Sequence, residues 1–111
     1  MEINGKFIDL DPEGYLIHPG EWNREVANEL AISESLELAD DYWVVFEFMR
    51  AYYDEHGVPP DVRHTTKQMI SDFNIDKKGA KAKLFTMFPY GYVKQACKVS
   101  GMKRPRGWST G

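Results

Sequence analysis

Cysteine occurs once in this sequence, at Cys97. A single thiol closes no disulfide within the chain, so a disulfide-stapled secreted module is excluded. It also leaves a zinc site short of ligands, because the three histidines, His18, His56 and His64, are scattered and no HExxH pair is present. No metal is expected. No glycine-rich phosphate loop is present either, and no cofactor is expected. No apolar run approaches the roughly 20 residues of a membrane span. The opening MEINGKFIDLD has neither the basic start nor the apolar stretch of a secretory leader. These absences together predict a cytoplasmic protein with no membrane association.

Acidic residues are missing altogether from positions 77–111, which hold 9 of the 14 Lys and Arg. Positions 1–76 hold all 17 Asp and Glu against 5 basic residues, so the two parts carry about +9 and −12. Such a division suits an anionic partner on the basic part, or attraction between the two parts within one fold. The total of −3 hides it.

What is present suits one globular domain spanning 1–111. Of the 111 residues, 42% are hydrophobic and 14% aromatic, enough for a core without staples. Met1 to Ile17 reads as a β-hairpin turning at Asp11-Pro12-Glu13-Gly14, with Ile3, Phe7 and Leu10 on one side. Pro19-Gly20 breaks the chain. Trp22, Val26 and Leu30, spaced by four, predict a helix from about Glu21 to Ile32-Ser33. The strongest helical pattern runs from Ala39 to His56, with Asp40 as the expected cap and Gly57 as the stop. Before it, the Glu-rich run from Glu34 to Asp41 reads as a solvated loop and helix start. Pro59-Pro60 makes an extended connector. Further helices are expected over Thr65–Phe73, Lys78–Met87 and Tyr92–Ser100, the last ended by Gly101. Pro105 and Gly107 deny regular structure to a C-terminal arm, 102–111, which is expected to be flexible. The fold class expected is α+β, mainly α: an N-terminal hairpin on an orthogonal bundle of about five helices.

Cys97 is the one residue with nucleophilic chemistry to weigh. A thiol reacts as its thiolate. In an α-helix Lys94 shares its face and Lys98 adjoins it. A cation about 6 Å away at an effective dielectric near 20 favours the thiolate by roughly 3 kcal/mol, and by less than about 1 in bulk water. The C-terminal end of a helix opposes an anion by roughly 0.3–1 kcal/mol. The lysines therefore prevail only where water is partly excluded. The competing reading is a small buried residue that fills space.

The last 25 residues resemble the C-terminus of the DsrC/TusE family, the gamma subunits of dissimilatory sulfite reductase and sulfur-relay proteins of tRNA thiolation. The likeness lies in Leu84-Phe85 through Phe88-Pro89, Gly91, Lys94-Gln95-Ala96-Cys97-Lys98-Val99-Ser100-Gly101, Pro105 and Gly107. Upstream, Gly14-Tyr15, Trp22, Tyr42-Trp43 with Arg50 and Tyr53, and the series Gly57, Pro59, Arg63, Lys67 keep the family's order. The resemblance implies a sulfur carrier, at most sulfurtransferase-type and not a stand-alone catalyst. Family members bear persulfide sulfur on a penultimate cysteine of a mobile C-terminal arm, which in the DsrC branch enters the sulfite reductase. An upstream cysteine pairs with it, and Cys97 occupies that upstream position. The arm position holds Trp108, so no intramolecular disulfide or trisulfide can form. Gly91-Tyr92-Val93 replaces the family's Gly-Pro-Ala.

Three functions follow as alternatives. In the first, a monomer relays sulfur through Cys97, with Arg63 and Lys67 lining the thiol's surroundings, and sulfite reductase or other sulfur-transfer proteins are its partners. In the second, the protein carries no sulfur and docks its basic arm, with Lys94, Lys98, Lys103, Arg104, Arg106 and Trp108 as the contact set. The third is a helical nucleic-acid-binding module, the weakest reading, since the total charge is negative and no base-reading motif is present.

Overall fold

Asn4 and Gly5 reverse the chain with φ of 51° and 79°, the positive pair that a type I′ turn requires. In this computed structural model, which describes residues 1–105, that turn joins β1 (Glu2–Ile3) to β2 (Lys6–Phe7). The strands are antiparallel, with Glu2 opposite Phe7 and Ile3 opposite Lys6. The turn expected at Asp11–Gly14 is also present. There the Asp11 carboxylate accepts from the backbone N–H of Glu13 and of Tyr15, each at 2.9 Å, and Leu10 bridges Leu16 across it. The N-terminal region is thus two consecutive reversals and not one long hairpin. One consequence is that Phe7 is 67% exposed, while its neighbour Ile8 enters the core.

A single 3₁₀ turn, Pro19–Glu21, precedes α1 (Arg24–Ser33). The helix starts three residues later than the apolar spacing alone suggests, because the Asn23 side chain accepts from the N–H of Val26 and sets the first turn. Trp22 is left outside the helix. α2 (Asp40–His56) ends at Gly57 with φ 74°. Ala39, not Asp40, occupies its cap position, and no side chain caps it; Asp40 sits inside the first turn, where its charge meets the positive end of the helix dipole. α3 (Val62–Phe73) and α4 (Lys77–Met87) begin at Asp61 and Asp76, whose carboxylates accept from the N–H groups of His64 and Gly79. α3 packs against both α2 and α4.

The last helical segment, α5 (Tyr92–Cys97), is a π-helix rather than the α-helix expected to Ser100. It adds a short helical continuation and is closed by Gly101 at φ 83°. The two strands and five helices form the mainly helical α+β architecture expected. The core joins Val26 and Leu30 of α1, Val45, Phe46 and Met49 of α2, Met69 of α3, Leu84 of α4 and most of α5. Tyr42 meets the Phe88 ring edge-on at 5.4 Å. Among the described residues, no helix is long and apolar enough to cross a membrane.

Candidate functional site

α5 brings the only thiol into the middle of the molecule. Tyr92, Val93, Ala96, Cys97 and Val99 are all buried, and Cys97 is 0% exposed. Burial alone pushes the Cys97 thiol far above its ordinary value, with no cation offsetting it. The reason lies in the helix type. In an α-helix Lys94, three residues earlier, would share the face of Cys97; the wider π turn separates them, and Lys94 points to solvent.

Lys98 turns inward instead. Its Nζ donates to Glu34 Oε2 at 2.7 Å, with the two side chains only 7% and 9% exposed. The ammonium stands 5.0 Å from the centre of the Tyr15 ring, and its stem lies against Gly14. A carboxylate at hydrogen-bond distance neutralises this cation, so little of its field is left for a thiolate. Glu34 belongs to the run expected to be a solvated loop; its side chain is instead part of the interior. Only a long-range partner 64 residues away takes it there, which no local pattern announces.

Side chains from almost every other element hold α5 and the residues after it. Tyr15 donates to Val93 O at 3.1 Å, Trp22 Nε1 to Val99 O at 2.8 Å, and Arg50 Nη1 to Ser100 O at 3.2 Å. Arg50 Nη2 reaches Pro19 O at 3.0 Å, and its guanidinium lies over the Trp22 ring. The Tyr92 hydroxyl donates to Pro60 O and meets Thr65 Oγ1, each at 2.7 Å. Gln95 is wholly buried, accepting from the N–H of Tyr90 and donating to Glu34 O. Burial raises the Tyr15 phenol to about 12, with Cys97 and Glu13 adding to it.

Gly101 has to be glycine here. A Cβ at this position would sit 2.6 Å from Trp22 Cγ and 2.8 Å from Arg50 Nη1, on a backbone with positive φ. Beyond it, Arg104 Nε pairs with Glu13 at 2.7 Å, and Lys103 and Arg104 line a cleft with Asp11, Leu16 and Ile17. The start of the basic arm therefore rests on the Asp11–Gly14 turn. Arg106 and Trp108 lie outside the described residues. Arg63 and Lys67, expected near the thiol, are brought together with Lys77 on the outer side of α3 and α4, in a groove whose lining does not include Cys97. No group of three or more His, Cys, Asp or Glu among the described residues is placed to hold a metal ion.

The family model described as "DsrC like protein" matches residues 2–108. The chain belongs to the DsrC-like family. It is 38% identical over 105 residues to the Sulfurtransferase TusE of Sodalis glossinidius, covering 95% of this chain and 96% of the relative. It superimposes on the crystal structure of the oxidized gamma-subunit of the dissimilatory sulfite reductase (DsrC) from Archaeoglobus fulgidus with a TM-score of 0.85, at 30% identity and 97% coverage of both chains. The NMR structure of Allochromatium vinosum DsrC gives 0.84 at 37% identity, covering 98% of this chain and 96% of that one. Among the upstream residues that keep the family's order, Tyr15, Trp22 and Arg50 anchor α5 and the residues after it, and Tyr42 anchors the end of α4. Each donates to a backbone carbonyl of the C-terminal half, Tyr42 to Met87 O at 2.9 Å.

Proposed function

We propose that this DsrC-like protein is a sulfur-relay protein, working with sulfur-transfer proteins and accepting sulfane sulfur on Cys97. The observation that carries the reading is the likeness to a sulfurtransferase along 95% of the chain, in a molecule whose one thiol is Cys97. In the transfer, the Cys97 sulfur attacks the outer sulfur of a donor persulfide. The donor's S–S bond breaks, an S–S bond forms at Cys97, and the donor leaves as a thiol holding the proton that Cys97 gave up. No net oxidation occurs.

The burial of Cys97 sets a condition on this chemistry. The thiol is reached only when α5 leaves its seat, which breaks the Lys98–Glu34 pair and withdraws Val99 and Ser100 from Trp22 and Arg50. A docked sulfur-transfer partner, the class that includes sulfite reductases, is the agent suited to supply that opening. The arm from Lys103 onward, with Arg104, Arg106 and Trp108, is the segment such a partner would grip.

Incubation of the folded chain with a sulfur-transfer protein loaded with persulfide, which can both dock and donate, followed by intact mass, tests the assignment. A gain of one sulfur in the wild type and none in Cys97→Ser is expected. No gain under native conditions, or a gain that persists in Cys97→Ser, would leave the protein as a docking member of the relay that carries no sulfur.

A further inference from the structure

The groove between α3 and the start of α4 holds an arrangement that sulfur handling at Cys97 does not use. Arg63 and Lys67 stand one turn apart on α3, and Lys77 opens α4 opposite them. His64, Thr66 and Ile70 complete a cavity of about 440 Å³. Among the described residues none of these three cations has a carboxylate within ion-pair distance, although Lys6, Lys83, Lys98 and Arg104 each have one. The carboxylates nearest in sequence are occupied elsewhere. Asp61 is bonded to the His64 ring and backbone, Asp72 accepts from Gln68, and Asp76 caps α4 through Gly79. Lys77 and Lys78 also stand in the first turn of α4 with no acidic residue there, where the helix dipole disfavours positive charge. An anion in the groove would relieve that repulsion.

The geometry points to a docking groove for a short acidic peptide segment of a partner protein, its carboxylates on Arg63, Lys67 and Lys77 and an apolar side chain on Ile70. The Arg63 guanidinium presents the planar fork that matches a carboxylate. Ile70 and the aliphatic stems of the basic residues give the groove an apolar floor, which a peptide side chain fills and a bare ion does not. A long phosphate backbone fits less well. His64 is the one ring in the lining, so successive bases have no stacking platform there. The inference rests on α3 and α4 alone, so its failure and that of sulfur loading at Cys97 are separate results.

The test uses the full chain, isotope-labelled, and four probes at low salt: a capped peptide of alternating glutamate and leucine, its glutamine counterpart, single-stranded oligouridylate, and inorganic phosphate. The glutamate peptide is expected to shift the amides of Thr66, Ile70 and Lys77, and to bind at least about tenfold more tightly than the glutamine peptide. Arg63→Glu with Lys67→Glu is expected to weaken it by at least about tenfold, and rising salt to weaken it further. Both side chains are exposed, so the variant should keep the wild-type melting curve; Arg63→Gln with Lys67→Gln serves if it does not. Absent shifts in the groove, or equal binding by the double variant, would overturn the proposal. So would oligouridylate binding the same residues more tightly than the peptide, or phosphate reproducing the same shifts at the same concentration.

Discussion

Cys97 and Lys98 are adjacent in sequence and both are buried: the thiol is sealed, as free thiols commonly are, and the cation beside it, against its type, is held inside by an ion pair. The pair's value is tested by breaking it. Lys98→Met leaves Glu34 charged, buried and without its partner, and is expected to cost about 3–5 kcal/mol in urea unfolding. Lys98→Met with Glu34→Leu should recover most of that loss, since two apolar side chains of similar volume remove the desolvation of both charges. A small effect of the single substitution would mean that water reaches Glu34. The thiol makes a separate prediction in pH. Its folded value is raised by burial above the ordinary 9.0, so the unfolded chain loses its proton first as pH rises. Stability from this group is complete below about pH 9 and falls above it, by up to about 1.4 kcal/mol per unit. Tyr15, raised from 10.0 to about 12, adds a second decline only at higher pH. Urea melts at successive pH values from about 8 to 10 should therefore show a downward slope that Cys97→Val removes. Neither residue's surroundings were legible locally. The family likeness singled out Cys97, but the thiolate expectation assumed α-helical spacing to Lys94, and Glu34 stood in a run whose composition reads as solvated.

At the scale of elements, the sequence carried more. α2 was marked by its apolar face and Gly57, and both α2 and α4 appear within a residue of where they were expected, although Ala82 and Phe85, which read as inward-facing on α4, are exposed. The starts of α1 and α3 were missed by three residues because Asn23 and Asp61 fix them, and apolar periodicity does not see a cap. Asn4-Gly5 is a hairpin signal in plain view, passed over in favour of the proline-containing turn after it. The π character of α5 had no such mark: Tyr92, Val93, Gln95, Ala96 and Cys97 are all buried, so no apolar face is left from which the width of its turn could be read. Capping can be checked directly. Asp61 accepts from the His64 N–H, and its carboxyl is held below the usual carboxylate value chiefly by that bond, then by the His64 ring. Asp61→Ala is expected to cost about 1 kcal/mol, and Asp61→Asn considerably less, because the amide oxygen still caps. The lowered carboxyl contributes stability above its unfolded value near 4, which is lost as pH falls through the folded one. The wild-type advantage over Asp61→Ala should therefore shrink in acid, and an advantage that grows there would contradict the cap.

Across the whole molecule, α5 is a hub rather than an appendage. The hairpin region holds it through Tyr15, the α1 entrance through Trp22, the α1–α2 link through Glu34, α2 through Arg50, and α3 through Thr65. Exposing Cys97 thus disturbs five parts of the fold together, and the opening should cost several kcal/mol. Labelling of Cys97 by a small thiol reagent in native buffer is then expected to be at least about a thousandfold slower than in the urea-unfolded chain. The anchors also say which substitutions should speed it. If the reagent enters through loss of α5, Lys98→Met should accelerate labelling by about tenfold for each 1.4 kcal/mol by which it destabilises that state. Trp22→Phe, which keeps an aromatic ring of smaller size but removes the donor to Val99 O, should act in the same direction. A labelling rate indifferent to both would show that the thiol is reached without displacing α5. That would free the proposed sulfur transfer from its need for a partner that pulls the segment out.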